Sequence, residues 1–144
     1  MKISIIIPNY NKAKYVIECL QSCLNQTYKN IEVIFIDNES IDNSLKIVEK
    51  HREQTNTNFT IDTAKNIYPQ CWDECVELAE NKYITGDYYT IIGSDDVIQE
   101  NYIENVVKSL CITKPVFFQS SLVWFSEGKI IREVAYDYKN TNDF

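Results

Sequence analysis

Two β-branched runs, Ile3-Ser4-Ile5-Ile6-Ile7 and Ile31-Glu32-Val33-Ile34-Phe35-Ile36, constrain this chain more than any other feature. Near-continuous runs of this length read as strands buried on both faces, the mark of a parallel sheet. Between them, Ala13, Val16, Ile17, Leu20, Cys23 and Leu24 recur at helical spacing. A second helical pattern runs through Ile41, Leu45, Ile47 and Val48, with Ser40 as its expected N-cap. Strand, helix, strand, helix implies right-handed crossovers and one parallel sheet, hence an α/β fold. All strand carboxyl ends of such a sheet lie on one edge, where ligands bind.

Each apolar run empties into a polar segment. Pro8-Asn9-Tyr10-Asn11 succeeds the first run and Asp37-Asn38-Glu39-Ser40 the second. Ser94-Asp95-Asp96 comes just after a third apolar run, Tyr88-Tyr89-Thr90-Ile91-Ile92. Adjacent carboxylates repel, and each needs solvation or a cation to stay ionised. Taken singly, each feature has an ordinary reading: the acid pair as a solvated turn capping the next helix, Asp37 as a helix cap, Tyr10 as a turn aromatic. Placed on one sheet edge, the three segments are expected to converge on a site.

The 144 residues suffice for one core. No apolar run is long enough to cross a bilayer and Met1-Lys2-Ile3 opens no secretory signal pattern, so cytoplasmic residence is the expectation. A net charge of −7 without a basic cluster disfavours nucleic acid as a partner. Cys19/Cys23 and Cys71/Cys75 are each four apart, one helical face apiece. They read as small buried hydrophobes before they read as a zinc site, and Cys111 stands apart. His51, the only histidine, falls near the end of a polar helix and suits the helix dipole better than base catalysis.

Further along, residues 52–58 read as a polar loop and Phe59-Thr60-Ile61-Asp62 as a short strand. Tyr68-Pro69 opens a helix with Trp72, Cys75, Val76 and Ala79 as its inward face. Ile103, Val106, Val107, Leu110 and Cys111 mark another helix. After Pro115, Val116-Phe117-Phe118 and Leu122-Val123-Trp124-Phe125 precede a turn at Ser126-Glu127-Gly128-Lys129 and a return run Ile130-Ile131, a hairpin pattern. One domain is expected over residues 1–135, with a polar tail over 136–144.

Glycine is confined to Gly86, Gly93 and Gly128, so neither GxGxxG nor a Walker loop exists. Without a backbone cradle for phosphate, aromatic and carboxylate groups would hold a base and ribose, and a hard cation on Asp would neutralise a diphosphate. A phosphoacceptor domain of flavodoxin-like topology also clusters acids at strand ends, but no strand-end Lys comes after Phe118 to complete it.

Ile5-Ile6-Ile7-Pro8-Asn9-Tyr10-Asn11, Leu24-Asn25-Gln26-Thr27-Tyr28-Lys29-Asn30-Ile31-Glu32 and Ile36-Asp37-Asn38-Glu39-Ser40-Ile41-Asp42-Asn43-Ser44 resemble the N-terminal half of family 2 glycosyltransferases. Lys82-Tyr83-Ile84 and Ser94-Asp95-Asp96, the latter at the family's DxD position, continue the resemblance. It implies a GT-A fold, a Rossmann-like three-layer α/β/α sandwich with a mostly parallel central sheet and a hairpin-like C-terminal stretch. It further implies an inverting transferase that binds a UDP-type nucleotide sugar with Mn²⁺ or Mg²⁺ and serves a glycan or lipid-linked sugar acceptor. By position, Tyr10 would lie against the nucleobase and Asp37 would accept from a base N–H. Asp95 would sit near ribose and metal, and Asp96 on the metal. Pro8, Asn9, Asn11, Asn38 and Ser94 would complete the nucleotide pocket.

Two departures stand out. Gly93 occupies the place of the first Asp in the family's usual Asp-Ser-Asp-Asp, leaving Asp95 and Asp96 as metal ligands. Cys71-Trp72-Asp73 replaces the family's Ala-Arg-Asn, so its phosphate-facing Arg is missing. The family's general base lies in a later part, and Glu133, Asp137 and Asp143 carry no matching motif, reading instead as solvated tail. The alternative is therefore a nucleotide-sugar-binding module without catalysis.

Overall fold

The computed structural model describes residues 1–67, 71–113, 122–126 and 129–134. Its elements are β1 (Ile3–Asn9), α1 (Val16–Leu24), β2 (Ile31–Asp37), α2 (Ser44–Thr55), β3 (Thr60–Thr63), α3 (Cys71–Lys82), β4 (Tyr88–Ile91), α4 (Tyr102–Thr113), β5 (Leu122–Ser126) and β6 (Lys129–Val134). Contacts divide the chain into two units, Met1–Val107 and Lys108–Phe144, the boundary falling within α4. In the second, β5 and β6 form the antiparallel hairpin, pairing Leu122 with Val134 and Ser126 with Lys129. The expected Val116-Phe117-Phe118 run, the opening at Tyr68-Pro69 and the tail over 136–144 lie outside the described residues.

In the first unit, four strands form a wholly parallel sheet in the order β3-β2-β1-β4. The crossovers from β1 to β2 to β3 step one way and that from β3 to β4 steps back. Uniform right-handedness then puts α1 and α2 on one face and α3 on the other. The isoleucine runs supply both faces by alternation. Ile6, Ile34 and Ile36 pack with Ala64, Cys75 and Ala79. Ile5, Ile7, Val33 and Phe35 point the opposite way, toward the side of Val16, Cys19, Leu20, Cys23 and Val48, and all of these are buried. Cys19, Cys23 and Cys75 are buried, while Cys111 is exposed. Among the described residues no helix is long and apolar enough to cross a membrane.

Four expectations are corrected. First, α2 begins at Ser44 rather than after Ser40, with Asn43 at the N-cap position. Ser40 is drawn instead into the strand-end loop, where its amide and hydroxyl both donate to Asp37, and Ile41 is left 88% exposed. Second, α2 runs on through residues 52–55, since nothing there breaks a helix, and ends at Asn56 in the left-handed conformation (φ 50°).

Third, Trp72 is not on the inward face of α3: it is 49% exposed, whereas Cys75 and Ala79 are buried. Cys75 Sγ already meets the Ile36 carbonyl at 3.7 Å, near the end of β2. A residue one turn earlier therefore lies past the edge of the sheet. Fourth, β4 is not buried on both faces; Tyr89 and Ile91 are exposed. Among the described strands β4 pairs with β1 on one side only.

At the amino edge, Glu32 ties β2 to β1 and to the approach of β4. It accepts from Lys2 Nζ and Ser4 Oγ, each at 2.5 Å, and from the amide and hydroxyl of Thr85, each at 2.7 Å.

Candidate functional site

The β1–β2 register sets Asn9 opposite Asp37 at the carboxyl edge. Asn9 Nδ2 donates to Asp37 Oδ1 at 2.7 Å and to Ser40 Oγ at 3.1 Å. Ser40 Oγ donates to Asp37 Oδ1 at 2.7 Å, and the Ser40 amide to Asp37 Oδ2 at 2.8 Å. Asp37 is thus a buried anchor whose Oδ2 accepts one internal bond and retains acceptor capacity. The Asn38 amide donates to the Asn9 carbonyl at 2.8 Å, closing the two strand ends together.

Asn11 turns the chain with φ 54°, a left-handed conformation that Asn adopts readily. Its amide donates to Ser40 Oγ at 3.0 Å, and its side-chain oxygen accepts from the Ile41 amide at 2.9 Å. Asp42 in turn accepts from the Ala13 amide at 3.0 Å. Burial alone would raise the Asp42 carboxyl, but the bonds from Ser44 and Ala13 outweigh it and hold it low. Pro8, Asn9, Asp37 and Asn38 are buried in this floor, and Tyr10 stands out of it, 40% exposed. Asn9 Oδ1 and Asn38 Oδ1 are buried acceptors with no partner among the described residues.

The end of β4 lies beside that of β1. The Ile92 amide extends the ladder to the Ile6 carbonyl at 2.9 Å. Gly93 and Ser94 are buried behind it, and Asp95 and Asp96 emerge exposed. Cys19 Sγ donates to the Gly93 carbonyl at 3.3 Å, fixing this loop to α1. The bond with Cys23, burial and the nearby Asp96 and Asp95 charges push the Cys19 thiol up, so it stays protonated. α4 starts only at Tyr102, so the acid pair does not cap it.

Lys12 Nζ reaches Asp95 Oδ2 at 2.6 Å, bridging the segments after β1 and β4. Since β1 lies between β2 and β4, that bridge spans the point where strand order reverses, the ligand crevice of open α/β sheets. Desolvation around the Asp96 carboxyl and the Asp95 charge raise it, against a backbone hydrogen bond from Gly93 and the charge of Lys12. A side chain at Gly93 would place Cβ 2.8 Å from Asp96 Oδ2, and 3.4 Å from both Asp95 Oδ1 and Trp72 Cη2. Glycine is what lets both carboxylates and the indole gather there.

Neighbouring carboxylates that burden each other suit a hard cation. No described cluster of three or more His, Cys, Asp or Glu could hold one unaided. A carboxylate pair is a donor set of the kind Mg²⁺ or Mn²⁺ would take from protein, with substrate phosphates and water as the remaining ligands. Ser40 joins the site as part of the expected Asp37–Ser40 segment, whereas Lys12 and Trp72 join it although the sequence pattern does not mark them as site residues. A lone Lys in a loop carries no motif, and Trp72 fits a helix stripe.

Residues 4–141 match the family model described as Glycosyl transferase family 2. The chain is 36% identical over 109 residues to "Glycosyltransferase GlyG" of Streptococcus pneumoniae serotype 4, covering 75% of this chain and 35% of that protein. The crystal structure of S. aureus TarS 1-349 in complex with UDP superposes with a TM-score of 0.66 at 28% identity, over 79% of this chain and 33% of that one. Mannosyltransferase PcManGT from Pyrobaculum calidifontis, solved with GDP-Man and Mn²⁺, shares the fold with a TM-score of 0.65 at 22% identity, over 76% of this chain and 32% of that one. The chain spans about a third of the length of these proteins. With the family match running from β1 to beyond β6, over the same parallel sheet and strand-end acids, the chain belongs to glycosyl transferase family 2 and has its GT-A fold.

Proposed function

We propose that these residues form the donor site of an inverting glycosyltransferase. It takes a UDP-type nucleotide sugar with Mn²⁺ or Mg²⁺ and passes the sugar to a glycan or lipid-linked sugar. The observation that carries this reading is the meeting of the segments after β1 and β4, with Lys12 on Asp95 and Asp96 next to it. Acids alone would repel a diphosphate; acids holding a cation, with a lysine opposite, attract one.

The uridine end is assigned to the floor after β1 and β2. Tyr10 offers an exposed ring to a base, and Asp37 Oδ2, with acceptor capacity left over, is assigned to a base N–H. The UDP bound by TarS supports this choice of nucleotide. A bound divalent ion would stabilise charge on the departing diphosphate. Lys12, freed from Asp95, adds positive charge at a phosphate oxygen.

Isothermal titration of the chain with UDP, GDP and CDP, in Mn²⁺ and in EDTA, tests the reading. UDP is expected to bind best, and only weakly in EDTA. Equal UDP affinity with and without the ion, or a preference for GDP, would overturn it.

A further inference from the structure

We propose that Trp72 is the platform on which the hexose ring of the nucleotide sugar lies, so that this residue discriminates nucleotide sugar from free nucleotide. The inference rests on the donor-site reading above and extends it from the nucleotide to the sugar.

Its basis is placement. Trp72 sits in the first turn of α3, which descends from the carboxyl edge of the sheet, and it is 49% exposed. Its Cη2 lies 3.4 Å from the point where a Cβ on Gly93 would stand, and Asp96 Oδ2 lies 2.8 Å from the same point. The indole and the cation-seeking carboxylate therefore flank one backbone position. A diphosphate held at Asp95 and Asp96 would carry its sugar immediately beside that position. Tyr89 Oη donates to Glu80 Oε1 at 2.7 Å, tying α3, which carries Trp72, to β4.

The chemistry matches. A hexopyranose has an apolar C–H face and a polar rim, and an indole presents an apolar, electron-rich face to such C–H groups. Leaving half of the largest side chain in water forfeits burial that packing would otherwise gain, unless a ligand covers it. The two departures noted in the sequence are also complementary: the residue without a side chain stands against the one with the largest. An Asp at position 93 would point its side chain into the space beside the ring.

The test is titration of the parent chain, W72A and W72F with UDP, UDP-glucose and UDP-N-acetylglucosamine in Mn²⁺. W72A is expected to weaken at least one UDP-sugar about five- to tenfold while shifting UDP by less than about twofold, and W72F to keep most of the sugar affinity. In a W124F background, emission from Trp72 should respond to the same UDP-sugar more than to UDP. An unchanged ratio of UDP-sugar to UDP affinity in W72A, or equal losses for both, would overturn the platform while leaving the donor site intact. Failure of the parent to bind UDP at all would remove the donor site and the platform together.

Discussion

Lys12 Nζ and Asp95 Oδ2 meet at 2.6 Å, although the two residues are 83 positions apart in the chain. Both side chains are roughly two-fifths exposed, at 39% and 43%. An ion pair so open to water contributes only about 0–1 kcal/mol to stability. Its significance is electrostatic: a cation is parked on the carboxylate proposed to bind a metal, where the segments after β1 and β4 meet.

The consequence is a split response in Lys12→Ala. The melting temperature should stay nearly unchanged, Mn²⁺ alone should bind more tightly, and UDP in Mn²⁺ should bind about tenfold more weakly, the scale of one charge-assisted contact. Titrations of metal alone and of UDP in metal read the two signs separately. Loss of both affinities together would show that Lys12 organises the loop instead.

Asp96→Ala should abolish the gain in UDP affinity that Mn²⁺ brings, while leaving the weak affinity seen in EDTA. The side chain is exposed and stands against the bare Cα of Gly93, so folding should survive its removal. Gly93→Ala should act in the same direction, because its Cβ would stand 2.8 Å from Asp96 Oδ2 and displace it. A parent-like Mn²⁺ dependence in either variant would remove Asp96 from the metal site.

The parts of this fold that were legible in the sequence are those written by local pattern. The Ile3 and Ile31 runs announce two central strands because burial on both faces leaves no room for polar alternation, and the Val16–Leu20–Cys23 spacing announces α1. Sheet order was not legible: whether β4 joins beside β1 or β3 depends on tertiary packing, and with it whether Tyr89 and Ile91 are covered. Ser40 and Trp72 show the other limit. Each fits a local rule, an N-cap and an inward stripe, that a neighbour distant in sequence or the extent of the sheet overrides. Asp37 takes the Ser40 hydroxyl, and the sheet ends before it reaches Trp72.

Asp37 separates scaffold from reader. Asp37→Ala leaves the Ser40 amide and hydroxyl without their acceptor and Asn9 Nδ2 with Ser40 Oγ alone, which should cost about 1–3 kcal/mol of stability. It should also weaken UDP by about 1.5–3 kcal/mol, the scale of a hydrogen bond to a charged group. Ser40→Ala disturbs the same floor but keeps the carboxylate. If Ser40→Ala loses as much UDP affinity as Asp37→Ala, then Asp37 serves only as scaffold.

Acid sensitivity should trace to the opposite edge of the sheet. Burial would push the Glu32 carboxyl up, yet bonds from Lys2, Ser4 and Thr85 outweigh it and hold it at about 2 against an ordinary value of 4.5. A folded-state value below the unfolded one means that this stabilisation is complete above about pH 4.5 and is lost as pH falls toward 2. Asp62, held at about 2 chiefly by Lys82 and Tyr83, gives way over a similar range. Glu32→Gln should therefore be less stable than the parent at pH 7, with the gap closing steadily between pH 4.5 and pH 3. Urea midpoints across that range measure it, and Asp62→Asn in parallel separates the two carboxylates. A gap that stays constant down to pH 3 would mean that the network around Glu32 stabilises through packing and neutral hydrogen bonds, not through the carboxylate charge.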